Sequence, residues 1–270
     1  MFATLGVGLG YRPEMHDPIM KSAGEIDWLE IVAESFLPLT PRRRDLLTEL
    51  TARFVCVPHC TELSVGSTGP VDGRLVEQVA ELADLVDAPW VSDHFCFTTA
   101  GGVRLGHLAP VQWTHATADR MAENARSIRT RVGRPFLLEN IAYTFVIPGE
   151  LSESDFIAIV LEQSECHLLL DVANVHANAT NLGFDAAEAI DRFPLDRLVQ
   201  MHVAGGTWED GVLADSHDAP VSPAVWDLVR QVAGRTGIPA VLLERDAAFP
   251  EDFAEIVADL RTARTAAVAA

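Results

Sequence analysis

Short apolar runs alternate with helical patterns about eight times along this chain, and that rhythm limits the fold more than any other feature. The runs are "LGVGLG" (5–10), "DWLEIV" (27–32), "RFVCVPH" (53–59), "WVSDHF" (90–95), "PFLLEN" (135–140), "HLLLDV" (167–172), "LVQMHV" (198–203) and "AVLLER" (240–245). Helical patterns cover 42–51, 73–88, 111–131, 153–164, 186–193, 223–235 and 251–265. In the stretch 73–88, Leu75, Val76, Val79, Leu82, Ala83 and Val86 fall on one helical face. Ser152 and Ser222 are N-cap candidates, the second followed by Pro223 at a first helical position.

Strands separated by helices imply a parallel sheet, because each crossover needs a helix to return the chain. Eight such units favour closure into a (β/α)8 TIM barrel, an α/β fold of typically about 250 residues. With 270 residues, no Ser/Gly linker and no shift in composition, the chain reads as a single domain over 1–270, with 265–270 a flexible tail. A dinucleotide site is not expected at "GVGLGY" (6–11), which lacks the GxGxxG spacing, and the "RPEMHDP" after it is a poor helix start.

No apolar run approaches the roughly 18 residues of a membrane span, and the N-terminus lacks the basic region of a signal peptide. The four cysteines form no CxxC pair, so reduced thiols in the cytoplasm are the expectation. Net charge is −19, which disfavours a nucleic-acid substrate.

The strand ends are polar. His59 ends the third run, Asp93 and His94 sit on the fourth, and Glu139 with Asn140 ends the fifth. Asp171 ends the sixth with Asn174 beyond it, His202 lies on the seventh with Asp215 and His217 in the loop after it, and Glu244 ends the eighth. In a TIM barrel such ends share one mouth, where the active site lies. Carboxylates gathered there without cations repel one another, and Arg104 and Arg245 are the only basic candidates nearby. Bound divalent metal ions resolve the conflict. An imidazole and carboxylate donor set without obligatory thiolate suits Fe, Zn or Mn with open positions, and eight donors are too many for one ion.

His16 and His107 read as exposed loop residues, and His115 and His167 as structural. His176, on the loop after Asp171, is a further candidate for a metal, as is Asn174. Asp93 and Asn140 are candidates for orienting a ligand, and Glu34 for a supporting or salt-bridged role. The cysteines read as small buried thiols. The glycines of "HVAGGTWEDG" (202–211) make either a pliable cover for the mouth or an ordinary βα loop.

At these residues the chain resembles the multinuclear non-haem iron-dependent oxidative enzymes that modify ribosomally made precursor peptides. The likeness is carried by "GVGLGYRPE" (6–14), "WLEIVAESF" (28–36), "PHCTELSVGS" (58–67), "SDHFCF" (92–97), "LLENIAYTF" (137–145), "LLLDVANVHANATNLGFD" (168–185), "MHVAGG" (201–206), "DSHDAPV" (215–221) and "LLERD" (242–246). The trinuclear zinc endonucleases that cut DNA at abasic sites share the order of the ligand residues but not the words around them. What the resemblance implies is one ion on His59, His94 and Glu139, with Glu139 bridging to a second completed by Asp171, His202 and Glu244. Asp215 and His217 would hold a third. Here the chain has Asp171-Val-Ala-Asn174 where the endonuclease pattern wants DxxH, so a third ion should bind less tightly.

The resemblance further implies two or three irons in mixed valence, O2 as co-substrate, and oxidation of a peptide side chain, often Cys, with Asp or Asn as alternatives. No catalytic residue beyond the metal ligands is assigned. A separate leader-binding partner protein is expected beside the precursor peptide. The competing readings are a metal-dependent hydrolase or isomerase of the xylose-isomerase-like type, such as the zinc endonuclease, and a metal-dependent scaffold.

Overall fold

The computed structural model describes residues 2–268. In chain order its strands are β1 (Gly6–Gly10), β2 (Trp28–Val32), β3 (Val55–His59), β4 (Val91–His94), β5 (Cys96–Ala100), β6 (Val103–Pro110), β7 (Phe136–Glu139), β8 (His167–Asp171), β9 (Leu198–Ala204), β10 (Trp208–Glu209), β11 (Val212–Leu213) and β12 (Ala240–Glu244). Eight of them form a closed barrel in the order β1-β12-β9-β8-β7-β4-β3-β2, and the registered neighbours run parallel. This is the TIM barrel that the alternation predicts, and all eight barrel strands lie within two residues of the expected runs. Two antiparallel hairpins, β5–β6 and β10–β11, were not expected.

The helices are α1 (His16–Lys21), α2 (Pro41–Thr51), α3 (Gly73–Leu85), α4 (His115–Val132), α5 (Glu153–Ser164), α6 (Val172–Leu182), α7 (Ala186–Ile190), α8 (Pro223–Ala233) and α9 (Ala254–Ala266). Ser152 and Ser222 cap α5 and α8, their side chains accepting the backbone N–H of Asp155 and Val225. α3 buries Val76, Val79, Leu82 and Ala83, the stripe read from its sequence. Helix α9 continues to Ala266, past the Arg264 at which the sequence suggested it would stop; of the expected tail, 269–270 lie outside the described residues.

Three local expectations are corrected. The stretch after β1 does start a helix, because Pro13 opens a 3-10 turn that runs into α1, and His16 begins that helix half-buried, its Nδ1 3.1 Å from the Tyr11 hydroxyl. The segment after Asp171 is helix α6 rather than loop. Its cap is Asp171 itself, which accepts the N–H of Asn174, and Gly183 ends it in the left-handed conformation. His107 is exposed, as expected, but on strand β6.

The chain divides into two compact units, Ile31–Leu169 and the residues flanking that segment. Within the flanking unit, β1 pairs with β12, β12 with β9, and β1 with the start of β2. Gly8 is needed there: a Cβ on it would stand 2.4 Å from the Trp28 indole. Within Ile31–Leu169, β3, β4, β7 and the start of β8 pair in sequence, with His59 opposite Ser92 and His94 opposite Glu139.

Candidate metal centre

Side chains on a strand alternate between faces, and paired residues of parallel neighbours share one. The register therefore puts His59, Ser92, His94 and Glu139 on a common face. All four are buried. The Nε2 atoms of His59 and His94 lie 3.3 Å apart, and Glu139 Oε2 is 3.4 Å from the first and 3.3 Å from the second. Donors about 2.0–2.2 Å from one ion stand roughly 2.8–3.6 Å from each other at octahedral to tetrahedral angles, so this triangle has the dimensions of a metal site. On their far sides, His59 Nδ1 meets Ser92 Oγ at 2.8 Å, and His94 Nδ1 lies 3.5 Å from Asp93 Oδ1. With its proton on Nδ1, each ring would turn its Nε2 lone pair toward the carboxylate, an arrangement that calls for a cation.

Asp93 and Glu34 hold the loop that follows His59. Asp93 Oδ2 accepts the N–H of Leu63 at 3.0 Å, and Glu34 Oε1 accepts those of Thr61 and Glu62, each at 2.9 Å. Burial raises the Asp93 carboxyl above its ordinary range, and burial with the nearby Asp93 charge pushes Glu34 up to about 6. Asn140 is buried beside Glu139.

The flanking unit carries two further groups. Asp171, His202 and Glu244, all buried, offer ligand atoms within 4.8 Å of one another, as do Asp171, Asp215 and His217. His202 Nδ1 is 3.2 Å from Glu244 Oε2, while its Nε2 is 3.2 Å from Glu30 Oε2 and 2.7 Å from Gln200 Nε2. Gln200 also donates to Glu30 at 2.6 Å. Burial raises the Glu30 carboxyl against the opposing pull of His202. Glu30 and Gln200 were not among the sequence candidates; the signal available was a carboxylate inside an otherwise apolar strand.

Asp215 and His217 depend on two glycines. A Cβ on Gly206 would stand 2.1 Å from the Ala214 carbonyl oxygen, and one on Gly205 2.2 Å from those of Ala219 and Pro220. Only glycine lets the 214–220 loop lie this close to the end of β9. His217 takes φ 49°, and its Nε2 lies 2.5 Å from Asp215 Oδ1. Burial opposes protonation of this imidazole, but Glu244, Asp215 and Asp246 together hold its pKa well above the ordinary histidine value.

Few cations offset these acids. Arg104 is exposed and pairs with Glu62, while Arg245 is buried but donates to Glu255 and the Asp218 carbonyl. Arg12, overlooked in the sequence, pairs with Asp246 and has its pKa raised: burial pulls it down, and Asp246, Glu244 and Glu30 more than compensate. His176 does not join the ligand groups. It sits half-buried on α6, in the wall of a cavity that Asp215 also lines. His115 is exposed at the start of α4, and His167 half-buried at the start of β8.

All eight expected ligand residues fall into donor groups whose ligand atoms lie within 4.8 Å of one another, and all but the exposed Asp215 are buried or half-buried. The model of the family described as RiPP precursor modification enzyme MbnB/TglH/ChrH matches residues 6–268. The chain belongs to this family. Among its relatives, the chain is 41% identical over 258 residues to a UPF0276 protein of Streptomyces avermitilis, covering 92% of this chain and 52% of that one. It is 33% identical over 270 residues to a UPF0276 protein of Acaryochloris marina, covering 98% and 96%. The chain therefore spans about half the length of the first relative and nearly all of the second. Solved structures with the same fold include D-psicose 3-epimerase of Clostridium cellulolyticum, with TM-score 0.58, 12% identity, and 97% and 96% of the two chains covered. Endonuclease IV of Thermus thermophilus aligns with TM-score 0.58 and 17% identity over 97% and 98%. These two likenesses concern the barrel alone.

Proposed function

We propose that this MbnB/TglH/ChrH-family chain uses iron and O2 to oxidise a side chain, cysteine before Asp or Asn, in a ribosomally made precursor peptide. The observation that carries the reading is the triangle of His59, His94 and Glu139, with edges of 3.3 to 3.4 Å and no thiolate, in a chain of a precursor-modifying family. We assign the first ion to these three residues. Asp171, His202 and Glu244 hold the second ion, and Asp215 and His217 a third that binds less tightly because Asn174 offers only a neutral amide. Bound iron, in mixed valence over two or three ions, would supply redox chemistry with O2 and an anchor for a substrate thiolate or carboxylate.

The chain's own residues orient and exclude. Ser92 and Asp93 fix the rings of His59 and His94 from behind, as Glu30 and Gln200 fix His202. Asn140 supports Glu139. A separate leader-binding protein presents the peptide, and the reaction belongs to the cytoplasm, where the four buried, unbridged cysteines stay reduced.

The test is aerobic turnover of a precursor peptide by iron-loaded protein, read as a mass change on one side chain. Product that appears only with iron and O2 supports the reading. Equal activity with zinc under anaerobic conditions, or turnover of a sugar or an abasic site instead, replaces it with the hydrolase or isomerase alternative.

A further inference from the structure

Helix α6, the end of β9 and the β10–β11 hairpin enclose a cavity of about 300 Å³, at the small end of ligand pockets and suited to a single side chain. Its shape is preformed. The hairpin turns through Asp210 and Gly211, whose φ angles of 48° and 84° are those of a tight turn matched to strand twist. Asn181 of α6 then clamps it: its Nδ2 donates to the Leu213 carbonyl at 2.9 Å, and its Oδ1 accepts the Leu213 N–H at 2.8 Å. The stretch that could have been a pliable cover is thus a fixed wall.

The hairpin turns its apolar face to the cavity. Trp208 and Leu213 stand opposite each other in the hairpin register, so they share one face, and both line the space. Trp208 is 64% exposed, which leaves an indole surface open to an incoming group. Ala173 and Ala177, four residues apart on α6, and Ala204 of β9 add apolar wall without filling the space.

The polar side chains of the wall are few and partly spent. Asp215 pairs with His217, and Ser222 accepts the N–H of Val225 as the cap of α8; His176 and Thr180 are the others. Among the described residues no Lys or Arg lines the cavity. A charged side chain entering would shed its water and find no free counter-charge. A large apolar one would bury its surface against alanine, leucine and indole carbon, and an aromatic ring would also pack on the indole.

The cavity is continuous with a metal-ligand group. Asp215 lines its wall and shares a donor group with Asp171 and His217, and Asp171 caps α6 two residues before Ala173. We infer that this cavity is the subsite for a large apolar side chain of the precursor peptide, aromatic before aliphatic, lying close to the residue that is modified. That the occupant is a peptide rests on the proposed function; the apolar preference rests on the cavity.

The full chain, reconstituted anaerobically with ferrous salt, is titrated with Ac-Gly-Phe-Cys-NH2 and its Leu, Ala, Arg and Glu counterparts, followed by calorimetry and tryptophan fluorescence. The Phe peptide should bind roughly tenfold more tightly than the Ala peptide, with Leu between them and Arg and Glu no tighter than Ala. Ala177→Leu, which fills the space from α6, should cancel the Phe advantage and leave the affinity of the Ala peptide unchanged. Trp208→Ser, at an exposed position, tests the same wall without touching the core. It should remove most of the fluorescence response and lower the Phe advantage several-fold. Equal binding of Phe and Ala peptides, tighter binding of the Arg or Glu peptide, or a Phe advantage that both variants leave unchanged overturns the inference. Since binding is read without turnover, Phe selectivity without aerobic oxidation would remove the oxidase reading alone, and oxidation without Phe selectivity would remove this inference alone.

Discussion

His59 and His94 meet Nε2 to Nε2 at 3.3 Å, edge to face, with ring centroids 4.6 Å apart. Two neutral rings in that position can share one hydrogen at most, and the Glu139 carboxylate beside them needs a positive partner. A metal ion satisfies all three at once, so the energetics of the triangle should depend on whether it is filled. Wild-type protein should gain several degrees in Tm on ferrous loading, since a ligand that binds only the folded state stabilises it by mass action. Glu139→Gln removes the charge but keeps the shape. It should lose most of that gain while leaving metal-free stability equal or higher, as differential scanning fluorimetry with and without metal would show. An undiminished metal shift in the variant would contradict the assignment.

Gly206→Ala tests how the third group is delivered. The new methyl would stand 2.1 Å from a backbone carbonyl, which has no rotamer to escape into. The loop bearing Asp215 and His217 must shift, at a cost of about 1–3 kcal/mol in stability. Metal analysis should then report loss of the third ion before the first, because His59, His94 and Glu139 lie on other elements. Uniform loss of every ion would point to general unfolding instead.

Glu30 makes a prediction that the strand pattern alone would not. It is buried and holds His202 Nε2 at 3.2 Å. Glu30→Gln keeps the volume but removes the charge that orients and strengthens this ligand. Metal affinity should fall by roughly tenfold or more, measured by competition with a coloured chelator. An unchanged affinity would reduce Glu30 to a packing residue.

A pH effect is expected away from the metal groups. Glu153 is held up to about 7 by burial, although the Tyr143 hydroxyl, donating at 2.9 Å, pulls the other way. Its folded pKa therefore exceeds the unfolded value, and the folded state binds the extra proton. Stability from this group is complete below the unfolded carboxyl pKa and declines as pH rises toward about 7. Glu153→Gln cannot lose a proton. Its stability relative to wild type should rise between about pH 5 and 8 in paired urea melts, and a flat difference would contradict the placement.

The thiols supply a simple control. Cys56, Cys60, Cys96 and Cys166 are all buried, and burial pushes the Cys56 thiol up to about 12. A thiol-specific chromogenic disulfide should react with native protein very slowly and with all four cysteines once it is denatured. Fast labelling of the native chain would contradict this burial.

Much of the barrel was legible because parallel strands buried on both faces read as plain apolar runs, and "HLLLD" or "AVLLE" admits few other readings. The ligand groups were legible for the same reason, as polar residues ending such runs stand out. Helix α6 was not, because "VANVHANATNL" is rich in Asn and Ala and shows no clear apolar stripe; its start is marked only by Asp171, already read as a strand end. Glu30 was hidden inside "WLEIV", where a single carboxylate looks like a sequence irregularity until the register brings it beside His202. The β10–β11 hairpin carried its signal in Asp210-Gly211, a turn dipeptide obscured by the glycines before it.

The central claim is that these buried imidazole and carboxylate groups exist to hold several metal ions. The most direct measurement is elemental analysis of the full chain after anaerobic reconstitution with ferrous salt and removal of unbound metal. The account predicts about two to three irons per chain. A chain that retains less than about one ion of iron, zinc and manganese combined, while remaining folded, would contradict it.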